Sequence, residues 1–549
     1  MTKNLLTILI GCMGCWNSLA QETSDQQGEV EDAQVLIEKD RIIKLPPADR
    51  QYEEMVPMPT PPSPPSPSYS FSDFPYQVSY LDPRIRMLGI RNDPVEKNKD
   101  NYLKFGYGNF NSPYLEGYFN NTQSENFLLG LHAKHLSSGS GPVDRENSAT
   151  SQNLIELDVK TFREDVNFDG HLGYQRDKYH FYGYQQSLDV NKDTIQQIFN
   201  QFSMRFELGS GSQDSNTRFA IGSSFNYLSD DFEASELALG LDGEVSFILT
   251  KQLQFITSGE LFITRNDDSI VINRNFLRIK PLLTYRAGLL KSNFGINGVW
   301  ENDTIQNGNK LHLYPWVELE YQFSPFWSIN GGIRGGMERN SLAKFVGENP
   351  YLAPKIQINN TNQKWEIFGN IHWQTNQPWW LEIRGSFGHY QNIRVFANSA
   401  LDSTKFEVLY DQGTTSRLNL FAEFGYTFHE VFSTSIHGEY FVYKTDQIFE
   451  PWQLPEYLLA WSGKYQLSNE LVLESDLTLI GGIKALNLQS GNTTQLEAIV
   501  DLSFKIEYLF NPRASAFIQI ENLLSQDYER YWNYPVRGIR VLGGLTFSF

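Results

Sequence analysis

The sequence predicts an all-β protein: a transmembrane antiparallel β-barrel of about 22 strands behind a proline-rich N-terminal periplasmic tail. Three observations carry this. Long segments after Asn101 alternate apolar and polar side chains with period two, and the polar breaks between them alternate between short and long. The chain also ends on an alternating segment that stops at an aromatic residue, Val541-Leu542-Gly543-Gly544-Leu545-Thr546-Phe547-Ser548-Phe549. There Val541, Leu545, Phe547 and Phe549 share one face, toward lipid, and Leu542, Gly544, Thr546 and Ser548 share the other, toward a lumen.

Taken in chain order, the first element is a leader. Lys3 precedes an apolar run from Leu5 to Trp16, and Ser18-Leu19-Ala20 before Gln21 has small residues at the positions signal peptidase needs, so residues 1–20 are expected to be a signal peptide. Leu9-Ile10-Gly11-Cys12 has the residue types of a lipoprotein signal, but cleavage at Cys12 leaves a very short apolar core. The 2 cysteines, Cys12 and Cys15, both lie in the leader, which excludes disulfides, thiolate metal sites and cysteine nucleophiles from the mature chain.

Residues 21–100 form the second element, an acidic and proline-rich tail. Pro46, Pro47, Pro57, Pro59, Pro61, Pro62, Pro64, Pro65 and Pro67 cannot join a helix or a sheet ladder, so an extended tether is expected. At ~3.1 Å per residue, Met58 to Pro67 alone spans about 30 Å. Within 71–92, Phe71, Phe74, Tyr76, Tyr80, Leu81, Ile85, Leu88 and Ile90 are apolar enough to pack against the inner wall or the periplasmic mouth of a barrel.

Residues 101–549 are the third element, the barrel. From Leu496 to Tyr508 every even position is apolar, while Glu497, Asp501, Ser503, Lys505 and Glu507 share the other face. Leu418, Leu420, Ala422, Phe424, Tyr426 and Phe428 repeat the pattern against Arg417, Asn419, Glu423 and Thr427, as do Leu471, Leu473, Leu477 and Leu479 against Glu474, Asp476 and Thr478. Runs of ten or more residues exceed ordinary sandwich strands and suit tilted membrane strands. Tight connections fall near Arg163-Glu164-Asp165, Thr250-Lys251-Gln252, Ser324-Pro325, Thr375-Asn376-Gln377, His429-Glu430, Ser468-Asn469 and Asn511-Pro512-Arg513. Longer loops fall at 137–151, 185–193, 301–309, 339–362, 444–454 and 486–494. Short turns to the periplasm and long loops to the outside leave both termini periplasmic when the strand number is even.

Composition narrows the function classes. A net charge of −19 removes the basic face that nucleic-acid binding needs. The 28 Tyr, 38 Phe and 11 Trp suit interfacial girdles, and no repeat of propeller length is present.

Several segments resemble the barrel of a TonB-dependent outer-membrane receptor. Glu521-Asn522-Leu523-Leu524-Ser525-Gln526-Asp527-Tyr528-Glu529, then Pro535, Gly538 and Arg540, is similar to that family's approach to its last hairpin. Asn349-Pro350-Tyr351-Leu352-Ala353-Pro354, followed by Trp365-Glu366-Ile367, resembles its NP-x-L-x-P loop, with Ala353 in place of the usual lysine and the following acid missing. Tyr102 to Gly108 and Leu131 to Ser138 look like the first strands of plugless relatives in Bacteroidota. The resemblance implies envelope transport. The family carries a folded plug and a TonB-pairing box before its barrel, and neither is recognisable in residues 21–100. A plugless channel or partner-gated conduit is therefore expected, with a non-transporting scaffold for a lipoprotein or envelope complex, or a passive wide pore, as alternatives. The ending with Gly544, Phe547 and Phe549 resembles the signal read by the bacterial barrel-assembly machinery.

Arg417, Glu423, Glu474, Asp476, Glu497, Asp501, Lys505 and Glu507 are the candidate lumen residues. Their acids favour cations in a conducting pore, and their bases favour ion pairs along the wall. His132 and His135, three apart on a strand, point to opposite faces and cannot share a metal. Asp230-Asp231 and Asp267-Asp268 are loop acids that could hold calcium or be simply solvated. Tyr528, Tyr531, Trp532 and Tyr534 are read as a loop surface for a sugar or partner, or as girdle. No enzyme activity, cofactor or resident metal is expected. The expected partners are outer-membrane lipids, the barrel-assembly machinery, and a surface lipoprotein or periplasmic protein, with TonB left open.

Overall fold

A computed structural model describes residues 101–549 apart from 122–125, 186–187, 212–214, 303–309, 376–377, 430 and 488–490. The expected leader and tail, including the apolar stretch 71–92, lie outside the described residues. One 22-stranded antiparallel sheet runs from Asn101–Gly108 to Arg540–Ser548, and these two strands pair with each other (Leu103↔Phe547, Gly106↔Gly544), closing the cylinder. Closure leaves no edge, which is what a sheet needs to sit in hydrocarbon.

Period-two alternation positions most wall residues, interrupted by register shifts such as those at Arg334/Gly336 and Gln363/Trp365. Phe105, Leu115, Ile155, Phe206, Ile221, Leu241, Ile279, Phe294, Leu319, Ile371, Phe424 and Phe547 are exposed on the outside. Near the turns at 325–326 and 375–378 the outer wall carries an aromatic chain: Phe323–Trp327 (6.0 Å), Trp327–Trp373 (5.3 Å), Trp373–Trp379 (3.8 Å) and Trp379–Phe424 (6.4 Å). Such a belt suits a membrane interface. Among the described residues no helix is long and apolar enough to cross a membrane.

The predicted turns at 163–165, 250–252, 324–325, 375–377, 429–430, 468–469 and 511–513 all connect neighbouring strands at one end. Asn101 N donates to Phe549 O (3.0 Å), so both ends of the barrel lie at this short-turn end. The seam explains one glycine: a Cβ on Gly544 would lie 2.1 Å from Phe105 O and 2.7 Å from the Phe517 ring. Phe517, on Ala514–Glu521, therefore lies flat over the last strand, and Phe105 and Phe547 stack outside at 6.2 Å.

The longer connections all leave the opposite end; one of them, 392–414, is not among the loops read from the sequence, and two carry strands of their own. Residues 392–414 carry a hairpin, Ile393–Asn398 with Phe406–Asp411, and residues 522–539 carry the short pair Glu529–Tyr531 and Tyr534–Pro535. A third hairpin, Lys484–Asn487 with Asn492–Gln495, fills much of the loop predicted at 486–494. Glu497 is a correction: its strand begins only at Ile499, so Glu497 lies in the connection before it rather than on the inner wall. Alternation persists through Leu496 and Ala498, but the backbone there has left the ladder. Leu496 turns into a buried cluster with Ile483, Ala485 and Ile499.

Candidate functional site: a loop cap above a charged wall

Three of the long connections leave the ring at well-separated points. They follow the fifth strand (Val166–His180), the thirteenth (Trp327–Glu338) and the twenty-first (Ala514–Glu521), which are eight, eight and six strands apart around the ring of 22. Each delivers a tyrosine to the same place. Tyr351 stacks on Tyr534 at 3.7 Å and meets Tyr182 edge-on at 5.8 Å, and Tyr182 meets Tyr534 at 4.8 Å. Side chains starting a third of the circumference apart touch only over the lumen. These loops therefore meet across the long-loop mouth as a cap.

Local chemistry directs each loop inward. Ser341 caps the seven-residue helix Leu342–Glu348, its Oγ accepting from Lys344 N (3.2 Å). The buried Glu236 carboxylate of the inner wall accepts from Leu342 N (2.8 Å), placing a negative charge at the helix's positive end. The helix stops at Asn349, whose Oδ1 accepts from Tyr351 N (3.0 Å) beside Pro350. Tyr351 and Ala353 then exchange backbone bonds with Phe406 (both 2.8 Å), joining this segment to the Phe406–Asp411 strand. Gly183 makes room for Tyr534, because a Cβ there would lie 2.7 Å from its ring.

The resulting core is as dry as a protein interior. Phe345 and Phe406 are 0% exposed, and Leu228 on the wall is 1% exposed. Val143, Leu342, Leu352, Ile358, Phe396 and Val408 pack in the same cluster. Polar bonds cross it: Tyr531 OH donates to Glu348 O, Tyr534 OH to Thr404 O, and Arg537 Nη2 to Ser148 O (3.0 Å). Burial, followed by the neighbouring phenols, raises Tyr351 well above the ordinary tyrosine range. Burial raises Tyr534 likewise, so both remain neutral phenols.

The aromatic set read as an exposed docking surface or girdle has a different place. Tyr531 and Tyr534 lie inside the cap core, and Tyr528 and Trp532 pack on the Ile483–Leu496–Ile499 cluster. The acids expected in loops partly end strands instead: Asp230 closes Thr217–Asp230, its Oδ1 accepting from Phe232 N (2.9 Å) and Ala234 N (2.8 Å) in the turn, and Asp267 and Asp268 close Leu253–Asp268, with Asp268 Oδ2 accepting from Lys355 N (2.5 Å) of the cap loop.

Below the cap, the inner wall is a ladder of paired charges. Lys505 bonds Glu474 (3.1 Å) and Glu507 (3.0 Å), and Lys464 lies 3.4 Å from Glu474. Glu507 accepts from Ser515 (2.6 Å), and Lys104 sits over the Phe517 ring at 4.4 Å. Past the seam, His132 lies between Glu116 (3.2 Å) and Glu156 (2.9 Å), and His171 reaches Asp158 (2.9 Å). His135, on the opposite face, bonds Asn153 (2.7 Å). Arg417 pairs with Glu366 (3.7 Å) and donates to Tyr390 (2.7 Å) rather than meeting another candidate lumen acid. Asp501 accepts from Tyr528 OH (2.8 Å), which ties wall to cap. Glu423 faces Glu382 and His437 across the ladder, and Asp476 borders a wall recess of about 380 Å³ with Trp380, Ser435 and Ser462. Of the eight candidate lumen residues, seven lie on ladder strands and Glu497 lies in the connection before its strand.

No protein-family model matches the chain, and no curated protein matches it by sequence. Solved structures do match. The siderophore receptor PirA from Acinetobacter baumannii aligns at 10% identity and TM-score 0.64, over 82% of this chain and 80% of that one. The FrpB iron transporter from Neisseria meningitidis aligns at 8% and 0.65, over 83% and 82%. The ferric-catecholate import receptor Fiu from E. coli K12, in a closed form, aligns at 10% and 0.62, over 82% of each chain.

Proposed function

We propose that this chain, which has the 22-stranded barrel fold of the TonB-dependent siderophore receptors, is an outer-membrane conduit whose outer mouth its own loops hold shut. One observation carries the proposal: Tyr182, Tyr351 and Tyr534 arrive from loops a third of the ring apart and meet over the lumen. A cap built from loops that stay bonded to the wall closes a mouth reversibly. It opposes the passive wide pore, since a constitutive pore gains nothing from a dry core across its entrance.

In this reading the short turns and both termini face the periplasm, residues 1–20 are removed, and residues 21–100 form a tether rather than a folded plug. The barrel-assembly machinery inserts the chain through Gly544, Phe547 and Phe549. A surface lipoprotein or periplasmic protein opens the cap, and coupling to TonB rests on the barrel's likeness alone. The identities of those iron receptors do not transfer a cargo, because a shared fold at this identity carries no site.

Single-channel conductance in a planar bilayer tests the proposal. The purified full-length protein is expected to be closed and to conduct once the cap is weakened. Conduction by a variant lacking residues 21–100 alone would instead make the tail the seal. Wide conduction by the untreated protein would overturn the proposal. The scaffold is the second reading, favoured by the complete burial of Phe345 and Phe406. It predicts a barrel that never conducts and a partner that co-purifies in one-to-one stoichiometry.

A further inference from the structure

Where the cap loop leaves the thirteenth strand, two guanidinium groups line a small, partly open recess. Thr264, Arg274, Asn275, Asn302, Arg339 and Asn360 line a cavity of about 10 Å³, room for a single water-sized particle. Arg274, on the inner wall, is 7% exposed. Its Nη1 donates to Asn340 O (3.0 Å) and its Nη2 to Asn360 Oδ1 (3.0 Å), both uncharged acceptors, and its Nε is buried without a partner. Arg339 lies over the Phe262 ring at 3.9 Å, with Nη1 buried and unbonded. Among the described residues, neither guanidinium has a carboxylate within ion-pair distance. The nearby acids are already engaged: Glu236 accepts from Asn266 Nδ2 (2.8 Å) and Leu342 N (2.8 Å), and Glu260 pairs with Arg278 (3.0 Å).

A buried cation without a counter-charge is expensive, and two that face each other are more so. Burial pushes Arg339 below the usual guanidinium range; the Glu236 charge opposes that shift and Arg274 adds to it. We propose that this cavity is a binding site for one monatomic anion, a halide, held by Arg274 Nε, Arg339 Nη1 and the Thr264 hydroxyl. The Asn275 amide, whose Oδ1 is also buried without a donor, offers its NH₂ to the anion when turned over. The small volume favours a monatomic anion over a polyatomic one. Because Arg274 belongs to the wall and Arg339 opens the cap loop, the ion pins the cap to the barrel. The site stands whether or not the cap ever opens for transport.

The test is bromide binding to the full-length protein in detergent. Melting midpoints are measured in sodium bromide against sodium gluconate at constant ionic strength, and crystals grown in bromide are examined for anomalous bromine signal. A saturable rise in bromide, absent in gluconate, is expected, with a bromine peak within hydrogen-bond distance of both arginines. Arg339→Gln should abolish both. Should that variant misfold, Thr264→Val keeps the charges and should weaken bromide binding several-fold. Identical melting in both salts, an ordered water without bromine signal, or an undiminished response in Arg339→Gln would overturn the proposal.

Discussion

Replacing Tyr351 with alanine removes the ring on which the cap closes. In the structure that ring stacks on Tyr534 at 3.7 Å and makes edge contacts with Tyr182 (5.8 Å), Tyr179 (6.3 Å) and Tyr531 (6.5 Å). Aromatic pairs add about 0.5–1.5 kcal/mol each beyond burial, and truncating a packed aromatic costs about 3–5 kcal/mol in all. A loss of about 4 kcal/mol in the closed state multiplies the open-to-closed ratio by roughly 10³. Tyr351→Phe keeps the stack and removes only the 3.4 Å bond to Tyr182 OH, at a cost of about 1 kcal/mol or less. The assay is single-channel conductance, paired with hydrogen exchange across residues 342–358. Tyr351→Ala should show frequent wide openings and fast exchange in that segment while the barrel strands stay protected; Tyr351→Phe should behave nearly as wild type. If Tyr351→Ala is as closed and as protected as wild type, the tyrosines do not hold the mouth and the reasoning from their convergence fails.

Further outcomes follow from other parts of the molecule. Asp411 is buried, which opposes its charge, but bonds from Thr415 and from the amides of Gln447 (2.7 Å), Asp446 (3.0 Å) and Ile448 (3.4 Å) outweigh burial and hold it below the usual aspartate range. A depressed folded pKa gives stability that is present above the unfolded value, about 4, and is lost as pH falls through the folded one. Exchange in residues 392–414 should therefore quicken as pH drops below about 4, and Asp411→Asn should remove that acid step. Gly544→Val should lower the yield of heat-modifiable folded barrel on gels, because its side chain would enter the space of Phe105 O and the Phe517 ring; normal yield would contradict the seam geometry. Lys505→Met leaves Glu474 and Glu507 without their shared cation. These groups are partly exposed, so stability should fall by only about 1 kcal/mol, while reversal potentials in an opened variant should move toward cation preference.

The barrel was legible in the sequence because its rule is local. Residues 500–508 alternate, so Asp501, Lys505 and Glu507 share the face opposite the apolar one whatever lies elsewhere, and the short turns announce themselves by length. The same locality explains the error at Glu497. Leu496 and Ala498 continue the period, yet an extended strand and an extended connection share one pattern, and only the missing ladder partner distinguishes them. The cap was illegible for a different reason. Its contacts join Tyr182 to Tyr351 and Tyr534 across most of the chain, and no period links them. The Asn349–Pro354 and Asn522–Tyr528 segments, which carry the resemblance, serve the cap. Asn522 Nδ2 donates to Gln526 O and Arg537 O (both 3.0 Å), shaping the loop that presents Tyr531 and Tyr534.

The division of polar groups between wall and cap bears on which of the two moves. On the wall, charges such as Lys505 with Glu474, Arg278 with Glu260 and Lys291 with Glu320 pair across neighbouring strands, and those strands are fixed by continuous backbone ladders, so unpairing them gains nothing that opens a path. In the cap, the elements that meet over the lumen are joined by aromatic faces and by single bonds to carbonyl oxygens, such as Tyr531 OH to Glu348 O. Separating them breaks few backbone bonds, chiefly the Phe406 exchange with Tyr351 and Ala353. A partner that supplied its own aromatic and backbone donors could replace those contacts one for one. Local opening then requires only the loops' own stability, far below that of the barrel, as expected of elements built to move.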